Sequence, residues 1–163
     1  MYKSVVRPLL FWLSPSMSRK VFLIGLKVVN YTPILRRFVK YSYSIPSLKR
    51  SFFGIDFISP VGIASGVDWK ADFTDPLSDI GAAFVTVGPL TVRGGRSSGK
   101  VREVINNMRE APFNAGKLTF VDLNVEPTSS DEAKVEELDR MYTLIYDFAD
   151  AAIINFQNIP ASM

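Results

Sequence analysis

The residues best able to do chemistry begin at Ser59, where the chain reads SPVGIASGVDWK to Lys70. A Pro-started, β-branched run of this kind predicts a buried strand. Its exit, Ala64-Ser65-Gly66, has side chains small enough for a flat ligand to lie against the backbone. Asp68, Trp69 and Lys70 follow, placing an acid, an aromatic face and an ammonium within three residues. That mixture suits the edge of a cofactor or substrate, and it equally describes a strand-to-loop connection with an ordinary charged rim. The chain has no Cys and no His. Disulfides, thiolate nucleophiles, the usual transition-metal ligands and imidazole acid–base catalysis are therefore excluded, and no metal site is expected. Proton chemistry would have to use Ser, Thr, Tyr, Lys or a carboxylate.

The elements that must position these groups alternate in type. Strands are expected at Phe52 to Phe57, Val61 to Ala64 and Ala83 to Val87, the last ended by Gly88-Pro89, with a helix near Phe73 to Ile80. Arg93 to Gly99, RGGRSSG, reads as a flexible basic loop, without the lysine-serine ending of a phosphate-binding loop. Leu118 to Asn124 is a further strand. Ser130-Asp131 then gives a helix start for Glu132 to Phe148, where Val135, Leu138, Met141, Tyr142 and Ile145 recur at helical spacing. Ala151 to Phe156 is the next strand. Strand-helix units in series imply a parallel sheet, with ligand residues at the strands' C-terminal ends. Ser65, Gly88, Asn124 and Asn155 fall there.

The first 50 residues differ in character from the rest. They hold ten Lys or Arg and no acid, whereas the remainder carries nine basic and sixteen acidic residues. The opening apolar run is broken by Arg7 and Pro8 and lacks a clear cleavage site, so a signal peptide is not expected. No uncharged apolar stretch reaches the ~18 to 20 residues that cross a bilayer. From Met17 to Val39 the pattern predicts two short helices, the second begun by Thr32-Pro33, with Ile34, Leu35, Phe38 and Val39 opposite Arg36, Arg37 and Lys40. Such a segment suits a membrane interface, and it would also suit a hairpin packed on its own body. No nucleic-acid recognition motif is present. The expected organisation is amphipathic helices over 1–40, a linker over 41–50 and an α/β domain over 51–163.

Taken together, these motifs resemble the N-terminal half of the quinone-dependent (class 2) dihydroorotate dehydrogenases. The opening YKSVVRPLLFWLSP is similar to the family's first helix. FFGIDFISPVGIASGVDWK is similar to FGxxFxNPVGLAAGFDKN, and FVTVGPLTVRGGRSSGKVR to FVExGTVTPxPQxGNPKPR. Asn124 and Asn155, 31 residues apart, match the spacing of the family's two flavin-contacting asparagines. The resemblance implies a partial (β/α)8 barrel with an N-terminal membrane-associating helical extension, peripheral on the cytoplasmic side of a membrane. It implies FMN lying against Ala64, Ser65 and Gly66 with its ring edge on Asn124 and Asn155, substrate contacts from Lys70, Phe113 and Asn114, and a membrane quinone as electron acceptor.

The departures from the family pattern fall at its chemistry. Trp69 stands where the family has its flavin- and orotate-contacting lysine, with Lys70 one place later. Arg109 replaces the leading asparagine of the substrate loop, Pro89 a flavin-contacting threonine, and Glu126-Pro127-Thr128 the family's GKN. Asn158 occupies the catalytic serine position, and an amide cannot accept the substrate's proton near neutral pH. A closed barrel needs on the order of 200 to 250 residues, so a phosphate site and a covering for the open sheet edges would have to come from elsewhere, as in a homo- or hetero-oligomer. Two functions compete: an FMN-dependent dihydroorotate oxidation of pyrimidine biosynthesis, and an inert membrane-surface interaction or assembly subunit on the same fold.

Overall fold

The computed structural model describes residues 12–43, 48–94, 98–110, 118–125 and 130–155. Among the described residues two helices come first, α1 (Pro15–Tyr31) and α2 (Pro33–Ser42), each with a proline in its first turn, where a missing N–H costs nothing. The Ser14 hydroxyl caps α1 by accepting from the Met17 N–H. A hairpin follows, β1 (Arg50–Phe52) and β2 (Ile55–Phe57), where a single strand is expected from the sequence. The turn is Phe53-Gly54, both in the left-handed region at φ 50 and 76. The body then runs β3 (Ile63–Asp68), α3 (Thr74–Asp79), β4 (Phe84–Thr91), β5 (Gly99–Lys100), α4 (Val101–Glu110), β6 (Leu118–Leu123), α5 (Asp131–Ile145) and β7 (Ala151–Ile154).

The strands form one parallel sheet in the order β3-β4-β6-β7, with β5 paired to the end of β4. Leaving β5 aside, each strand of the sheet lies beside the one before it, the arrangement of consecutive barrel staves, and among the described residues the sheet does not close. β4 does not end at Gly88-Pro89 as expected; it continues to Thr91 with a register shift between Val87 and Leu90, because a proline at a bulge removes no ladder bond that the neighbour needs.

Strand alternation divides the sheet into two faces. Val87 and Leu90 of β4 and Val121 and Leu123 of β6 are fully buried against Val104 and Met108 of α4 and Met141 and Ile145 of α5. The opposite, concave face carries Phe84 and Phe120, stacked at 4.7 Å. Phe57 of the hairpin meets both rings edge-on, at 5.9 and 6.0 Å, and closes the N-terminal end of that face.

The helical arm is bolted to the body. Leu26 of α1 is buried in a second apolar cluster with Phe73, Leu77, Ala82 and Val85. Arg36 of α2 bonds the Asp75 and Asp79 carboxylates of α3. α2 continues to Ser42, so the first part of the expected linker is helical. No helix among the described residues is long and apolar enough to cross a membrane.

Candidate functional site

The candidate site lies on the concave face, at the strands' C-terminal ends. The Asn124 N–H donates to the Leu90 carbonyl (2.8 Å) and the Asn155 N–H to the Leu123 carbonyl (3.0 Å), extending the β4-β6-β7 ladder past the strand ends. The two asparagines thus stand on neighbouring strands at the same level. Asn124 Oδ1 accepts from the Val125 N–H at 2.9 Å, which orients its amide. On β3, Ala64 is exposed, and a Cβ placed on Gly66, at φ +100, would meet nothing within 4 Å. Small side chains on β3 and paired amides across β6 and β7 leave room for a flat ligand with a polar edge.

The exit of β3 is held by Asp68. Its carboxylate, 2% exposed, accepts from three backbone N–H groups: Lys70 (3.3 Å) and Asp72 (3.1 Å) at Oδ1, and Phe73 (2.8 Å) at Oδ2. Burial pushes its carboxyl above the ordinary carboxylate range, against the opposing pull of these three donors. A raised native pKa means that the fold binds this proton more tightly than the unfolded chain does. The residue's contribution is therefore complete below the unfolded pKa and lost as pH rises through the native one. The stability of the wild type relative to Asp68→Asn is expected to fall as pH rises from below the ordinary carboxylate range to above it. Chemical denaturation at both ends of that range checks this; a constant difference would remove the titration.

Beyond Asp68, the side chains turn to partners that sequence reasoning misses. Lys70 Nζ pairs with Glu103 Oε1 of α4 at 2.6 Å, on the surface. Asn107 Nδ2 of α4 donates to the Lys70 carbonyl (2.8 Å) and to Asp72 Oδ1 (3.0 Å). Trp69 lies under Arg19 of α1, whose guanidinium is 4.1 Å from the ring centroid and also donates to the Val67 carbonyl at 3.2 Å. Gly99 packs against this same stretch: a Cβ there would lie 1.8 Å from the Trp69 carbonyl oxygen. The loop is thus fixed from both sides, by α1 and by the β5–α4 junction.

α4 itself is absent from the sequence reading, although Val101, Val104, Ile105 and Met108 carry the 3–4 spacing of a helix and all four are buried. Arg109, expected from the resemblance at the head of a substrate loop, lies inside this helix. Arg109 stacks at 5.0 Å on Phe148, just before β7, so it sits at the sheet end opposite Asn124 and Asn155. Phe113, Asn114 and Asn158 lie outside the described residues. Ser65 Oγ is buried and has no hydrogen-bond partner among the described residues. A residue not singled out from sequence, Asp122, also belongs to the concave face; its signal was an acid inside an otherwise buried strand.

Comparison with known proteins bears on which fold family this site belongs to. No protein-family model matches the chain. A curated dihydroorotate dehydrogenase (quinone) from Christiangramia forsetii is 26% identical over 176 residues, covering 95% of this chain and 52% of the relative. The corresponding protein of Proteus mirabilis is 31% identical over 77% of this chain and 36% of its own. That of Roseiflexus sp. is 34% identical over 55% and 26%. The chain is a homologue of the quinone-dependent dihydroorotate dehydrogenases. It spans between a quarter and about half the length of these curated relatives. The crystal structure of dihydroorotate dehydrogenase from Eimeria tenella in complex with ferulenol shares the fold, with a TM-score of 0.62 over 80% of this chain and 45% of that one at 17% identity. The five-stranded open sheet therefore has the fold of part of a dihydroorotate dehydrogenase-type barrel.

Proposed function

We propose that this chain is a membrane-surface relative of quinone-dependent dihydroorotate dehydrogenase that holds the flavin ring of FMN on its concave face and does not by itself oxidise dihydroorotate. The observation that carries the first half is the pair Asn124 and Asn155 side by side above a sheet whose β3 offers exposed Ala64 and open space at Gly66. The residues fit the group. A flavin's pyrimidine edge alternates carbonyls with ring nitrogens, and asparagine amides can donate and accept in the same plane. When bound, FMN would supply two-electron chemistry; the chain's own residues bind and orient its ring.

The second half rests on what stands around the ring position. Trp69, where the family resemblance expects a lysine, is stacked under Arg19, and the Lys70 ammonium pairs on the surface with Glu103. Asn158, at the position of the family's serine, is no base at neutral pH. The arm supports docking on an anionic bilayer: Ile34, Phe38 and Tyr41 face solvent while Lys20, Lys27, Arg37 and Lys40 are exposed beside them. A quinone would reach the ring from that side. The sheet's outer strands, β3 and β7, support a second polypeptide as partner, which a native mass measurement would reveal.

Purified protein loaded with FMN and passed over a desalting column is expected to keep flavin absorbance, and dihydroorotate is expected not to bleach it. A colourless protein would overturn flavin binding. Bleaching would overturn inertness and restore the enzyme.

A further inference from the structure

Asp122 lies at the centre of the concave face. Val121 and Leu123 on either side of it face the helices, so alternation along β6 turns Phe120, Asp122 and Asn124 to the other side. In register, Asp122 pairs with Ile153 of β7, and it packs on the bare backbone of Gly88, where a Cβ would stand 2.9 Å from the Asp122 Cβ. The carboxylate therefore sits one level below the Asn124–Asn155 pair, on the same face. It is 6% exposed, and its Oδ1 is buried with no hydrogen-bond partner among the described residues.

A buried carboxylate oxygen without a donor is costly, far more so than a free hydroxyl. Replacing the side chain by an apolar one would relieve that cost in the unliganded protein, so its presence points to a donor supplied by a ligand. The neighbouring groups restrict what that ligand is. Two amides able to donate stand above one group able only to accept, and this pattern is complementary to an N–H flanked by two carbonyls, a cyclic imide.

We infer that Asp122 is a ligand-binding residue whose Oδ1 accepts the imide N–H of a ring bound between Asn124 and Asn155. The inference rests on the flavin reading above to the extent that isoalloxazine is one source of such an imide; a free pyrimidine is the other. In either case the carboxylate discriminates by hydrogen bonding, because a site built to pair a ligand donor rejects the analogue that lacks it.

The test uses the full chain and neutral probes without phosphate: lumiflavin against 3-methyllumiflavin, and 1-methyluracil against 1,3-dimethyluracil, with dissociation constants from flavin fluorescence or ligand-observed NMR. Methylation of the imide nitrogen is expected to weaken binding at least tenfold in one pair or both, and Asp122→Ala is expected to abolish that difference. Discrimination in the uracil pair with no lumiflavin binding supports the role of Asp122 while overturning the flavin reading. Equal binding of both members of every pair that binds overturns the role of Asp122 and leaves flavin binding standing. No binding of any probe overturns both. The wild-type comparison stands even if the alanine variant fails to fold.

Discussion

Gly99→Ala is expected to lower the stability of the protein by ~3 kcal/mol or more, at the upper end of overpacking effects. The new methyl carbon would lie 1.8 Å from the Trp69 carbonyl oxygen and 2.8 Å from a Leu90 methyl group. The leucine can rotate, whereas the carbonyl belongs to the backbone that Asp68 anchors with three hydrogen bonds. Relief requires β5 to leave β4 or the β3 exit to shift, and either movement disturbs the loop that Asn107 and Glu103 secure from α4. A loss of this size is a substantial part of the ~5 to 15 kcal/mol that holds a domain together. It should appear as a melting temperature lower by roughly 6 to 12 °C for a chain of this length. A melt within a degree of the wild type would show that the Gly99–Trp69 approach is not a structural constraint.

Replacing Ile34, Phe38 and Tyr41 together with Gln is expected to reduce binding to anionic vesicles about 100-fold. Ile34 is 83% exposed and Tyr41 85%, so neither holds the arm to the body; Leu26 and Arg36 do that. If each side chain contributes ~1 kcal/mol on partial burial in the interface, the three give ~3 kcal/mol, or about two decades in partition. Gln preserves helix propensity, so the comparison reports burial and not unfolding. Raising salt should weaken the remainder, because the exposed lysines and arginines act through a screened attraction. In liposome flotation, wild-type protein that stays at the bottom with anionic vesicles would remove the membrane reading. Floating unchanged after the triple substitution would show that α2 is not the contact.

The proposed loss of turnover and the proposed role of Asp122 concern different parts of the face. Trp69 and Lys70 are governed by Arg19 and Glu103, at the rim. Asp122 is governed by the alternation of β6, at the floor. A face can therefore keep its ring-binding floor after the rim has lost the groups that act on a substrate.

Much of this was written in local pattern. Short, largely apolar runs, LTFVDLN and AAIINF, placed β6 and β7 and put Asn124 and Asn155 at strand ends. Ser130 before a 3–4 apolar repeat announced α5, and its hydroxyl accepts from the Ala133 N–H at 3.3 Å. The cation-rich, acid-free opening marked the arm as a separate surface. These features are decided by period and by caps, which act within a few residues. Other features depend on partners far along the chain. α4 was hidden because its repeat begins directly after a glycine-rich loop, and what confirms it is burial against α5 and the sheet. Lys70 read as a ligand group until Glu103, 33 residues later, came within 2.6 Å. Gly88-Pro89 read as a stop, yet β4 passes through because a bulge beside Asp122 accommodates it. Which face of the arm is free, and which is bolted down by Leu26 and Arg36, follows only from α3 lying beneath it. Periodicity determines which residues share a side; packing alone decides what that side meets.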